Sequence, residues 1–105
     1  MFDLFKKNTY DSLNVHELGK LLGKVNLIDI RETYEYNSGH LPTAKNIPMS
    51  KIVSEAELHL DKSKNYYIIC QSGARSSRTC DILSKKGFNV INVAGGTGSY
   101  RDKLE

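Results

Sequence analysis

The feature that most constrains the fold of this chain is the alternation of short apolar runs with segments of helical periodicity. The apolar runs lie at Val25 to Ile30, Tyr66 to Cys70 and Val90 to Val93, and each has the length of a buried strand. Strands that alternate with helices usually pair in parallel within one sheet, and the helices cover its faces. The sequence therefore predicts an α/β fold.

Capping and turn residues predict the remaining elements. A short strand at Tyr10 to Leu13 is followed by a helix at Val15 to Leu22, which Asn14 and Glu17 would begin as a capping box. The other predicted elements are a helical turn at Glu32 to Asn37, a brief strand at Lys45 to Met49, a helix that starts near Ser50, a helix from Arg75 to Lys86 and a short helical segment opened by Gly95-Gly96.

Composition and charge are those of an ordinary folded protein. The chain has 105 residues, room for a single domain, and we expect residues 1–105 to form it. Hydrophobic residues make up 39% and charged residues 26%, values that argue against disorder. The net charge of +3 is spread rather than gathered in a basic stripe, which argues against nucleic-acid binding.

The sequence gives no indication of a membrane protein. No segment approaches the roughly 18 apolar residues of a membrane span. The first residues, Met1 to Lys7, lack the apolar run and cleavage site of a signal peptide. We therefore expect a cytoplasmic monomer.

The two cysteines, Cys70 and Cys80, have neither the spacing of a zinc site nor that of a redox Cys-x-x-Cys pair, so no metal is expected. Cys80 falls inside a predicted helix, three residues before Leu83 on its expected core face. We interpret Cys80 as a core residue, with a resolving thiol as the alternative.

Cys70 is the candidate nucleophile. By itself, a free cysteine at a strand end is usually a small core residue. Here it is followed by Gln71-Ser72-Gly73-Ala74-Arg75-Ser76 and then a helix, an arrangement that can wrap backbone N–H groups around an anion. Such donors favour a thiolate, which can attack the terminal sulfur of an anionic donor and become a persulfide.

Three segments resemble the successive motifs of the single-domain rhodaneses: Leu27 to Glu32, Tyr36 to Pro48 and Cys70 to Ser76. The resemblance implies a central, mainly parallel five-stranded sheet flanked by helices on both faces, with the persulfide-forming cysteine at Cys70. It also implies an active-site loop over Gln71 to Arg75, in which the Arg75 guanidinium pairs with the oxyanion end of a donor such as thiosulfate.

Three further polar residues are interpreted as structural. Asp29 and Arg31 follow a predicted strand, where an ion pair that holds loops in place is expected. His40 lies in the turn Gly39 to Pro42, which resembles a structural Gly-His motif of the family. Because an ionised thiolate needs no dedicated base, His40 is not predicted to be catalytic.

We thus predict a sulfurtransferase of the thiosulfate:cyanide type that needs no cofactor. Its expected partners are a small anionic sulfur donor and an acceptor, which is cyanide in vitro and a small thiol or a partner protein's cysteine in the cell. One alternative is a phosphatase or arsenate reductase of the same fold. Four residues separate Cys70 from Arg75, whereas cysteine phosphatases use five. The other alternative is a sulfur carrier or regulatory binding module without enzyme activity.

Overall fold

The structure, a computed structural model, describes residues 10–105. Five strands form one sheet in the order β1-β5-β4-β2-β3, and every neighbouring pair is parallel. The strands are β1 (Asp11–Asn14), β2 (Asn26–Asp29), β3 (Lys45–Asn46), β4 (Asn65–Ile69) and β5 (Asn89–Ala94). The prediction of a five-stranded, mainly parallel α/β sheet is confirmed.

The described part of the chain has five α-helices: α1 (Thr33–Asn37), α2 (Met49–Ser54), α3 (Ala56–His59), α4 (Ala74–Lys85) and α5 (Gly96–Ser99). The first four lie between strands, and α5 follows β5. The longest is α4, which follows β4 directly and ends with a cationic residue, Lys85, in its last turn. The predicted helix at Arg75 to Lys86 matches α4 to within one residue at each end.

Two sequence predictions were wrong in detail. Val15 to Leu22 is not an α-helix but two 3₁₀ turns, Val15–Glu17 and Gly19–Leu21. Gly19 weakens an α-helix at this point, and stacked i, i+3 side chains bury Val15 and Leu18 instead. The predicted strand at Lys45 to Met49 is regular only over Lys45–Asn46. Ile47 and Met49 still donate to the Asp29 and Ile30 carbonyls, but Pro48 is the N-cap residue of α2, which begins at Met49.

The two faces of the sheet carry separate hydrophobic cores, because successive strand residues point to opposite sides. Ile28 and Ile68 belong to the core under α2, α3 and α4, which also contains Cys70 and Cys80. Leu27 and Ile69 belong to the core on the opposite face, under the 3₁₀ turns and α1. Helices therefore cover both faces, as predicted.

The connectivity creates a crevice beyond the carboxyl ends of β2 and β4. These neighbouring strands lead in opposite directions, β2 toward β3 and β4 toward β5. Ligands of open α/β sheets bind at such a switch point. Cys70 follows β4 there, and Arg31 follows β2.

Residues 10–105 contain neither a membrane-spanning helix nor a cluster of metal-binding side chains. No helix in this part of the chain is long and apolar enough to cross a bilayer. Within the same residues, no group of three His, Cys, Asp or Glu side chains could hold a metal ion. The signal-peptide prediction concerns Met1 to Lys7, which lie outside the described residues.

Candidate active site

The loop after β4 turns sharply at Gly73, the N-cap residue of α4. Its φ of 106° is in the region that residues with a Cβ rarely adopt, so glycine is required for this turn. The turn folds the chain back over Cys70 and points the first N–H groups of α4 at its sulfur. The predicted strand, turn and helix thus form the predicted cradle.

The Cys70 Sγ lies at the base of this cradle. It accepts hydrogen bonds from the backbone N–H of Gly73 at 3.0 Å and of Ser76 at 3.3 Å. The thiol is also 3.3 Å from the Ser76 Oγ, and the Ser76 hydroxyl is 3.1 Å from the Gly73 carbonyl. Cys70 is 0% exposed, so the loop and the sheet enclose its side chain.

The pKa of Cys70 reflects two opposed effects. Burial raises this pKa, whereas hydrogen bonds from the Ser76 hydroxyl and from the N–H groups of Ser76, Gly73 and Ser72 lower it, and together they outweigh burial. The net result is a pKa below that of an ordinary thiol. The cradle therefore favours the thiolate, which is the nucleophilic form.

A lowered Cys70 pKa predicts how ionisation of the thiol and sulfur transfer depend on pH. In the folded protein, the ultraviolet absorbance of the thiolate should grow in with a midpoint below the ~8.5 of a free cysteine. Sulfur transfer should rise with pH through the same midpoint and then level off. Subtracting the titration of a Cys70→Ser variant removes the tyrosine contribution. A midpoint at or above that of a free cysteine would contradict the prediction.

The loop side chains divide between solvent and protein contacts. Gln71, Ser72 and Ala74 are exposed, whereas Ser76 is buried beside the sulfur. The two terminal nitrogens of the Arg75 guanidinium are already used in hydrogen bonds to another side chain. Its Nη1 and Nη2 donate to the two carboxylate oxygens of Glu35, at 2.8 and 2.9 Å. The sequence reasoning did not predict this pair, because its members lie 40 positions apart.

A buried ion pair on the neighbouring strand supports the loop. The Arg31 backbone N–H, Nε and Nη2 donate to the Asp29 carboxylate at 2.9–3.2 Å. The Arg31 Nη2 also donates to the Gly39 carbonyl, and its Nη1 donates to the Gln71 Oε1 at 3.1 Å. Asp29 and Arg31 are buried, and the prediction of a structural ion pair at this strand end is confirmed.

The C-terminal segment also holds the loop, a role that the sequence did not reveal. The Thr97 N–H donates to the Cys70 carbonyl at 2.8 Å, and the Gly98 N–H donates to the Gln71 carbonyl at 2.9 Å. Gly96 makes this approach possible: a Cβ there would lie 2.5 Å from the Cys70 and Gln71 carbonyl oxygens. The Gly-Gly pair predicted a helical segment, but not its contact with the loop that follows Cys70.

Gly96→Ala should therefore disturb the loop specifically. The added methyl group cannot fit without moving the Cys70 carbonyl, and the φ of 62° adds strain. We expect a loss of about 1–3 kcal/mol in the free energy of unfolding, with a drop in sulfur transfer as well. Urea denaturation measures the first. Gly23→Ala is the control. Gly23 also has a positive φ, 83°, but a Cβ added there would have no heavy atom of the described residues, apart from its chain neighbours, within 4 Å. Equal losses of activity in the two variants would contradict a special role for Gly96.

His40 and Cys80 occupy structural positions. The His40 ring stacks on Tyr36 with centroids 3.7 Å apart, and its Nδ1 is 2.9 Å from the Tyr36 carbonyl. Cys80 lies on α4, faces the hydrophobic core and is 0% exposed. Burial, together with the Cys70 charge, raises its pKa to about 12. A thiol with that pKa is a poor nucleophile, which supports the core interpretation of Cys80.

Comparison with known proteins connects this geometry to a family. A family model described as "Rhodanese-like domain" matches residues 14–103. The protein named "Putative sulfurtransferase YtwF" of Bacillus subtilis is 46% identical over 79 residues, which are 75% of this chain and 76% of YtwF. "Putative sulfur carrier protein YrkF" of the same organism is 37% identical over 82 residues, 77% of this chain but only 44% of YrkF.

A solved structure shows the same architecture. The rhodanese-like domain protein of Staphylococcus aureus superimposes with a TM-score of 0.81 at 33% sequence identity. The match covers 90% of this chain and 96% of the Staphylococcus protein. At that coverage the similarity extends over most of both chains.

Proposed function

The chain belongs to the rhodanese-like domain family, and from that premise we propose that it transfers sulfane sulfur through a persulfide on Cys70. The observation that carries the proposal is the position of the Cys70 Sγ. It lies at the switch point of the sheet and accepts hydrogen bonds from two backbone N–H groups. Donors that stabilise a thiolate also stabilise the terminal sulfur of a persulfide anion.

The first half-reaction loads sulfur onto the protein. The Cys70 thiolate attacks the outer sulfur of thiosulfate, and the S–S bond of the donor breaks. Its electron pair leaves with sulfite, while a new S–S bond forms on Cys70. The reaction exchanges one S–S bond for another, so no external oxidant or reductant is needed. In our proposal, the loop from Gln71 to Ser76 binds the donor during this step.

The second half-reaction returns the thiolate. A thiophilic acceptor attacks the outer sulfur of the persulfide, and the electron pair of the S–S bond returns to Cys70. Cyanide leaves as thiocyanate in vitro. In the cell we propose a small thiol or a cysteine of a partner protein as the acceptor, and the cytoplasm as the location stays a prediction from the sequence.

The size of the cradle favours this chemistry over phosphate chemistry. The N–H groups of Gly73 and Ser76 contact the Cys70 sulfur directly. With four residues between Cys70 and Arg75, the loop is one residue shorter than in the cysteine phosphatases. A sulfur atom added to Cys70 needs less room than a tetrahedral phosphate. These features support the sulfurtransferase over the phosphatase and arsenate reductase alternatives.

Steady-state kinetics with thiosulfate and cyanide test the proposed cycle. Because the sulfur is held covalently between the two half-reactions, double-reciprocal plots at several cyanide concentrations should be parallel. Parallel assays with p-nitrophenyl phosphate and arsenate examine the alternatives. Turnover of either compound without any thiocyanate formation would replace our proposal by that alternative.

A further inference from the structure

The Arg75 guanidinium, which the sequence predicts to bind an anionic donor, already binds a carboxylate of the protein. Both terminal nitrogens of Arg75 are used in the paired hydrogen bonds to Glu35. Paired, charge-assisted bonds of this kind are among the strongest that side chains form. The Arg75 side chain is only 33% exposed and that of Glu35 only 20%, so water screens the pair incompletely.

Glu35 is held in place from its own helix. It lies in the first turn of α1, where its Oε1 also accepts a hydrogen bond from the Glu32 N–H at 3.0 Å. The hydrogen bond from Arg75 is the main reason that the pKa of Glu35 falls to about 2. The carboxylate is therefore ionised wherever the protein is folded at ordinary pH, and it competes with any donor for Arg75.

The charges around Arg75 do not favour a small dianion. Arg75 borders a pocket of about 470 Å³ that Ile30, Met49 and Glu32 also line. Among the described residues, Glu35 is the acid that contacts the guanidinium, and it accepts hydrogen bonds from both terminal nitrogens. Thiosulfate brings two further negative charges to the same place.

We propose that Glu35 determines donor specificity by withholding Arg75 from small dianionic donors, so that the site favours sulfur donors of lower charge. The inference rests on the proposed function, because it concerns the donor that loads Cys70. Arg75 binds an anionic donor only after the donor displaces the Glu35 carboxylate. Thiosulfate is then a weak substrate, and a thiosulfonate or a thiol persulfide is the better class of donor.

Two donors of the same chemistry but different charge test the proposal. Thiosulfate is a dianion that releases sulfite, and methanethiosulfonate is a monoanion that releases methanesulfinate. Each gives up its outer sulfur to the Cys70 thiolate with the electron pair on the leaving group. Comparing the ratio of the two kcat/KM values between variants cancels their different intrinsic reactivities.

Glu35→Gln is the informative variant, because its side-chain oxygen can still accept from the Glu32 N–H while the charge is lost. Freed of its carboxylate partner, Arg75 should raise kcat/KM for thiosulfate about tenfold, mostly through KM. For methanethiosulfonate we expect a rise of about threefold. Arg75→Ala should cost less than about threefold with thiosulfate in the wild type, but about tenfold in the Glu35→Gln background.

Glu32→Gln is the matched control. It removes the same charge from the same helix start, but Glu32 has no hydrogen bond to Arg75 among those described. It should leave the ratio of the two donors within about twofold of the wild-type ratio. An equal change of that ratio in both variants would show that net charge, and not the release of Arg75, sets donor preference.

A fall in kcat/KM for thiosulfate in Glu35→Gln would overturn the inference, because Glu35 would then orient Arg75 for the donor. This outcome is distinct from a failure of the proposed function. Persulfide formation on the wild type from either donor preserves the function whatever Glu35 does. Absence of a persulfide from both donors would remove the function and the inference together.

Discussion

Replacement of Cys70 by serine is expected to abolish sulfur transfer. The serine hydroxyl can occupy the same cradle, but at neutral pH it neither ionises nor forms a persulfide. We expect thiocyanate formation to fall at least about a thousandfold, as is common when a catalytic nucleophile is removed. The fold should persist, since the change is nearly isosteric within the core that Cys70 shares with Ile30 and Ile68.

Cys80→Ala is the matched control for this experiment. Cys80 lies in the same core and is equally buried, but burial raises its pKa to about 12. Its loss should leave sulfur transfer within about threefold of the wild-type rate after correction for any unfolded fraction. Loss of activity in Cys80→Ala but not in Cys70→Ser would reverse the assignment of the nucleophile.

Asp29→Ala is expected to give the largest loss of stability of the changes considered. It removes the carboxylate that accepts from the Arg31 backbone N–H and from its guanidinium, and it leaves that guanidinium buried without its partner. Breaking a buried pair in this way costs about 3–5 kcal/mol. Because Arg31 also holds Gln71, sulfur transfer should fall as well.

Chemical denaturation measures the free energy of unfolding of Asp29→Ala, with Asp81→Ala as the control. Asp81 forms an exposed i, i+4 pair with Lys85, and such pairs contribute about 0.3–0.5 kcal/mol. A shift of the midpoint in Asp29→Ala no larger than that in Asp81→Ala would contradict a structural role for the buried pair. The midpoint shift of Asp29→Asn should lie between those of the two variants, since asparagine keeps the shape of the side chain but loses its charge.

Much of the fold could be predicted because local signals agreed with the tertiary structure. The strand at Tyr66 to Cys70 is rich in β-branched and aromatic residues and is followed by a turn and a long helix, and this unit appears as β4, the loop and α4. The prediction failed where local signals were ambiguous. The pattern from Val15 to Leu22 suits an α-helix or consecutive 3₁₀ turns, and the structure has the turns, the second of which begins at Gly19, directly after the buried Leu18.

The site was predictable only in part. The order of Cys70, Gly73 and the helix indicated the cradle of N–H groups, because neighbours in sequence form it. The contacts of Arg75 with Glu35 and of Thr97 with the Cys70 carbonyl join distant segments. No sequence pattern within these segments predicts the contacts, because they depend on where the sheet places each segment. The sequence therefore predicted the cradle around Cys70 but not the distant groups that hold its loop, and the role of Cys70 as nucleophile stays a prediction.

Intact-mass spectrometry after brief incubation with a sulfane sulfur donor shows whether Cys70 carries sulfur. Methanethiosulfonate and thiosulfate are used in separate samples, with Cys70→Ser treated in the same way. We expect a gain of about 32 Da on the wild type only, which cyanide removes as thiocyanate. An unchanged wild-type mass with both donors, or the same gain on Cys70→Ser, would show that Cys70 does not carry the sulfur.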